Sequence, residues 1–182
     1  MIMSDGAICS AMAAGEISVE PDSRESDIRP AGLRLYLGAD LLIPVESNEE
    51  IDLTKAESSQ FASHKMGASG YLLESHGFVL AHTRERIKTS RSIVCRIDGR
   101  SSVARNGLFV HCSSATIDNI HVIARTIVLE LYNCNRRPVR LWPGLAIAML
   151  TFERLDGEIQ QQPAHQYADQ QYLLPPRPSI RW

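Results

Sequence analysis

Residues 91–113, RSIVCRIDGRSSVARNGLFVHCS, decide how this chain is read. Two apolar runs, RSIVCRI (91–97) and GLFVHCS (107–113), flank a polar break holding Gly99, Arg100, Ser101, Ser102 and Arg105. Each run is short, rich in β-branched residues and free of helical period, which reads as strand, turn, strand. The arrangement recurs outward from this point. LRLYLG (33–38), DLLIPV (40–45), GFVLAHT (77–83), RTIVLELYN (125–133), RPVRLW (137–142) and LAIAMLTFERL (145–155) are further strand-like runs. Turn formers punctuate them at Gly38, Gly77, Gly99, Asn106-Gly107, Asn133 to Asn135 and Pro143-Gly144. Many short strands with regular breaks predict a mainly β sandwich or barrel. VRLWPG followed by LAIAML predicts a hairpin that turns at Pro143-Gly144.

One helix is predicted, in SDGAICSAMAAGE (4–16). Ser4 or Asp5 caps it, Ile8 and Met12 share an apolar face, and Gly15 stops it. Residues 46–70 are polar and weakly patterned, as expected of a long surface excursion. Residues 160–182 are rich in Gln, Pro and Tyr and read as an arm. The expected organisation is a single domain over 1–159 followed by that arm.

The 182 residues suit one core, which usually serves about 100–200 residues. A net charge of −2 argues against a general nucleic-acid binder, which carries a basic excess. Cys9, Cys95, Cys112 and Cys134 are scattered, with no CxxC pair. The start of the chain lacks the basic-then-apolar order of a signal peptide, and reduced thiols in the cytoplasm are expected. No apolar run approaches the ~18 residues of a membrane span.

Three places carry candidate chemistry. Arg100, Ser101, Ser102 and Arg105 could clasp an anion, since arginine forks two donors onto phosphate oxygens and Gly99 lets backbone N–H groups approach. They could equally form an ordinary polar turn. Glu130 interrupts the apolar strand RTIVLELYN. Buried, it would have a raised pKa and suit general-base work; on a solvent face it would be unremarkable. Asp118 lies in a loop-forming Asp-Asn pair and says little alone. A zinc deaminase needs H-x-E and P-C-x-x-C elements, and neither occurs. H-E-x-x-H, P-loop and G-x-S-x-G motifs are missing too. His111 reads as a core or pocket-wall histidine.

With these segments in order, the chain resembles the dCTP deaminase family of the trimeric dUTPase-like superfamily. RPAGLRLYLG (29–38) is similar to the family's PAS-x-DLRLG segment, and FVLAHTRERI (78–87) to its strand ending in T-x-E. GRSSVARNGLFVH (99–111) is a nearly complete match to the family signature, and LWPGLAIAMLTFERL (141–155) resembles its L-x-PG-x-x-I segment. YADQQYLLPPRPS (167–179) is a looser match to its C-terminal arm.

The resemblance implies a distorted β-barrel or jelly-roll with a short N-terminal helix, assembled as a homotrimer with sites shared between subunits. It implies dCTP as substrate, magnesium carried on the triphosphate, no zinc, and release of ammonia and dUTP. Glu130 would activate water, with Ser101 and Arg105 positioning it and the cytosine. Arg100 and Ser102 would face phosphates, and Asp118 the deoxyribose 3′-hydroxyl. Ser114 would line the pocket, and Tyr167 and Gln170 would reach the triphosphate from a closing tail. No nucleic-acid or membrane partner is implied. A dUTP diphosphatase, a bifunctional enzyme taking dCTP to dUMP, and a non-catalytic nucleotide binder are the alternatives.

The chain departs from the family pattern in places. Arg34 stands where the family has aspartate. The stretch DNIHVIAR (118–125) is longer than the family's D-P-G-aromatic-x-G and lacks both glycines. Ser114 replaces a pocket alanine, and Gln166 replaces a lysine before Tyr167.

Overall fold

The computed structural model describes residues 1–54, 60–118, 120–160, 167 and 170–177. In chain order the elements are α1 (Asp5–Ala13), β1 (Ile17–Glu20), a 3-10 turn (Glu25–Asp27), β2 (Ile28–Arg29), β3 (Gly32–Tyr36), β4 (Asp40–Pro44), β5 (Phe61–Lys65), β6 (Tyr71–Leu73), β7 (Phe78–Thr89), β8 (Ile93–Gly99), α2 (Ser101–Ala104), β9 (Leu108–Phe109), β10 (Thr116–Ile117), β11 (Arg125–Asn133), β12 (Val139–Leu141) and β13 (Ala146–Arg154).

A six-stranded sheet runs β5-β4-β7-β11-β9, with β1 also on β7. A five-stranded sheet runs β10-β8-β13-β3-β2, and β12 pairs with β6 apart from both. The mainly β expectation holds. Among the described residues the sheets form a jelly-roll-like pair and do not close into a barrel; an isolated bridge, Leu37↔Thr83, links them.

Alternation builds the core. Odd-numbered residues of β11 and β7 point inward, placing Leu129, Leu131, Ala81 and Ile87 out of water. The opposing sheet supplies Leu33, Leu35, Ile97, Leu150 and Phe152, all at 2% exposure or less. Each such large side chain contributes about 1.5–3 kcal/mol by leaving water. The helix follows the sequence reading: the Ser4 hydroxyl accepts the Ala7 N–H, and Ile8 is buried. β5 lies within the stretch expected to be a plain surface excursion, because it completes the free edge of β4 over Asp40↔Lys65 to Pro44↔Phe61. The predicted strand at 107–113 shrinks to β9, since only Leu108 and Phe109 reach β11.

The predicted hairpin is corrected. β12 pairs with β6, whereas β13 pairs with β3 and β8. The Trp142–Leu145 turn, with Gly144 at φ +78, therefore passes the chain from one sheet to another. Leu37 holds it in place: its N–H donates to the Leu145 carbonyl and its carbonyl accepts the Gly144 N–H.

Two local features fix β11. Opposite Ile127, β7 carries the irregular stretch Thr83 to Glu85 between the pairs Thr126↔Arg86 and Val128↔His82. The buried Thr83 hydroxyl accepts the stranded Ile127 N–H at 2.9 Å and donates to the Glu85 carbonyl at 2.8 Å. At the far end Asn133 is fully buried; its amide donates to the carbonyls of Leu73, Glu74 and Arg137 and its side-chain oxygen accepts the Asn135 N–H. The register between these anchors decides which way Glu130 faces.

Candidate active site

Glu130 pairs with Leu80 across β11 and β7 and, with Leu129 and Leu131 turned to the core, occupies the opposite face of the sheet. That face is not open water. The chain carrying Ser114 and Asp118 and the C-terminal segment flank it, forming a half-open pocket of about 540 Å³. Glu130, Ser114, Asp118, Arg125, Tyr167 and Gln170 all line this pocket, with apolar walls from Leu80 and Val128.

The half-buried Glu130 accepts the Cys112 N–H at 3.3 Å. Burial pushes its carboxyl above the usual carboxylate range, while the Cys112 N–H and the nearby His111 ring pull it down. Desolvation dominates, so the group keeps a proton more readily than a surface glutamate does. Cys112 in turn has its thiol raised, first by its own burial and then by the Glu130 charge. His111, read from the sequence as a core or pocket-wall histidine, is only partly buried and does not line this pocket; its Nε2 lies 3.7 Å from Asp98.

The residues predicted for the site fall into two groups. Glu130, Asp118, Ser114, Tyr167 and Gln170 come together in one pocket. Arg100, Ser101, Ser102 and Arg105 sit on and beside α2 and do not line it. Ser101, Ser102 and Arg105 are exposed, and the Arg100 guanidinium donates to the Ala146 carbonyl at 2.6 Å. Gly99 closes β8, and its N–H donates to the Asp98 carboxylate at 2.7 Å rather than pointing free toward an anion.

The C-terminal segment packs against its own chain. Gln170 is buried, and its amide donates to the Tyr172 carbonyl at 2.8 Å. The Tyr167 hydroxyl accepts the Arg177 N–H, and the Arg177 guanidinium lies 5.6 Å from the Tyr167 ring centroid. Gln166 lies outside the described residues.

Arg34 finds its answer nearby: it lies 3.8 Å from the buried carboxylate of Asp27, which also accepts the Tyr36 hydroxyl. The charge reversed at this position is therefore matched by a carboxylate in the 3-10 turn that precedes β2. Sequence reading missed Arg125, which opens β11 and is almost fully buried in the pocket wall. Its only signal was a cation abutting an apolar strand where the family pattern has glycine. Among the described residues no group of three or more His, Cys, Asp or Glu side chains could hold a metal ion. No helix among them is long and apolar enough to cross a membrane.

Comparison with known proteins gives the chain's family and fold. A family model described as dCTP deaminase-like matches residues 2–155. A dUMP-forming dCTP deaminase of Dictyoglomus thermophilum is 34% identical over 161 residues, covering 86% of this chain and 82% of that protein. A dCTP deaminase of Thermomicrobium roseum is 32% identical over 162 residues, covering 86% and 81%. The crystal structure of 2′-deoxycytidine 5′-triphosphate deaminase from Agrobacterium tumefaciens shares the fold, with a TM-score of 0.64 at 17% identity. That match covers 83% of this chain and 47% of that one. The family model and these relatives together show that this chain belongs to the dCTP deaminase-like family.

Proposed function

We propose that the protein hydrolyses the exocyclic amino group of dCTP, giving dUTP and ammonia, with magnesium bound through the substrate's triphosphate. The observation that carries this reading is a half-buried carboxyl of raised pKa in the wall of a half-open pocket. Deamination needs a proton taken from water as oxygen attacks C4, and a proton given to the departing nitrogen. A single glutamate does both in turn: the carboxylate accepts from water, and the resulting acid donates to the amine as the C–N bond breaks. Its raised pKa makes the protonated intermediate cheaper to form. Substrate bound in the half-open pocket would hold the water at the ring and displace competing solvent.

In this reading Asp118 accepts the sugar 3′-hydroxyl, Ser114 lines the base pocket, and Tyr167 and Gln170 approach the phosphates. Arg100, Ser101, Ser102 and Arg105 complete the pocket of a neighbouring subunit in a homotrimer. Their placement on an outward-facing α2, away from their own chain's pocket, supports that sharing. Arginine and hydroxyl side chains suit phosphate oxygens. The setting is the cytoplasm, where free thiols persist.

A second reading, favoured by the relative named dUMP-forming, carries the reaction through to dUMP and pyrophosphate. Incubation with dCTP or dUTP in magnesium, following ammonia and pyrophosphate, separates the two. Ammonia from dCTP without pyrophosphate supports the first, and equimolar ammonia and pyrophosphate supports the second. No ammonia from dCTP refutes both.

A further inference from the structure

The C-terminal segment forms the wall of the pocket, and its attachment centres on the first two residues of β11. The Tyr167 carbonyl accepts the Gln170 N–H at 3.0 Å and Arg125 Nη1 at 2.9 Å. Next to it, both the N–H and the hydroxyl of Thr126 donate to the Gln171 carbonyl, at 3.4 and 3.3 Å. Tyr172 then lies 5.9 Å from the Arg86 guanidinium, which itself donates to the Ala124 carbonyl. Arg125 is 4% exposed, so its charge sits where an arginine is costly unless its donors are used.

We infer that Arg125 is a positioning residue: it pins the segment that presents Tyr167 and Gln170, and so sets the wall of the pocket facing Glu130. The cation acts through the strap rather than on the reacting atoms. Because charge-assisted bonds to a carbonyl are stronger than neutral ones, the guanidinium strengthens the hold on a segment that Thr126 and Arg86 also contact. This inference rests on the proposed reaction for its kinetic readout alone.

Hydrogen exchange on the unliganded full-length protein tests it without any substrate. In Arg125→Met, the amides of Thr126 and Gln170 should lose protection while those of Leu129 and Leu131 keep it. With dCTP, KM should rise about tenfold with kcat changed much less, as for a lost binding wall. The effects of Arg125→Met and Gln170→Ala on KM should be less than additive, because each loosens the same strap. Arg125→Gln, which removes the charge but keeps a polar side chain, serves if the methionine variant does not fold; it should show the same loss of protection at Gln170. Unchanged exchange at Thr126 and Gln170, or fully additive KM effects, overturns the inference. Absence of deamination by the wild type refutes the proposed reaction and leaves the exchange test standing.

Discussion

Replacing Thr83 by valine removes one hydroxyl and keeps the shape, yet it should be among the costlier substitutions in the fold. The Thr83 side chain is fully buried where β7 departs from regular pairing with β11. Its oxygen accepts the Ile127 N–H and its proton goes to the Glu85 carbonyl. Valine leaves both backbone groups without these partners in a site closed to water. Each unsatisfied group costs about 1–3 kcal/mol, so the expected loss is about 3–4 kcal/mol. Thr83→Ser keeps the hydroxyl and should cost about 1 kcal/mol for the missing methyl. In urea, at a slope of about 2 kcal/mol/M, the valine variant should unfold about 1.5–2 M earlier than wild type. Equal midpoints for the valine and serine variants would refute the reasoning, since the two differ in the hydroxyl that the bulge uses.

Three other outcomes are expected. Glu130→Gln should lower ammonia release by about 10²–10⁴-fold. It should also change the pH dependence of stability. Burial raises the folded carboxyl above its unfolded value, so this group's contribution is complete below the unfolded value and is lost as pH rises through the folded one. The glutamine variant escapes that loss and should melt higher than wild type at neutral pH, with the gap closing in acid; thermal melts across pH check this. Asn133→Asp swaps an amide that donates to three carbonyls for an acceptor facing them, and should cost about 3 kcal/mol or more in denaturant titration. Removing magnesium with EDTA should abolish turnover of dCTP, and added magnesium should restore it; a zinc-selective chelator should leave turnover unchanged.

The local pattern of residues determined a good deal. Alternation and turn formers placed β11 over Arg125–Asn133, and the Ser4 cap placed α1. A pleated strand has a period of two and a capped helix has a defined start, so both are written in adjacent residues. Residues 100–105 and 130 stood out as candidates from their neighbours alone, and the roles proposed for them come from the resemblance. What the tertiary structure decided was everything that depends on distant partners. Pro143-Gly144 suits a hairpin in isolation, yet Leu37 from another strand claims the turn and sends β12 and β13 into different sheets. Arg34 looked uncompensated until the fold brought Asp27 beside it. Glu130 sits on a face that alternation marks as outward, and it becomes half-buried because residues near 114–120 and 170–177 return to cover it. Arg125 acquires its role in the same way, from a carbonyl far along the chain. Burial and pairing are sums over contacts between remote segments, and no short window of sequence contains them.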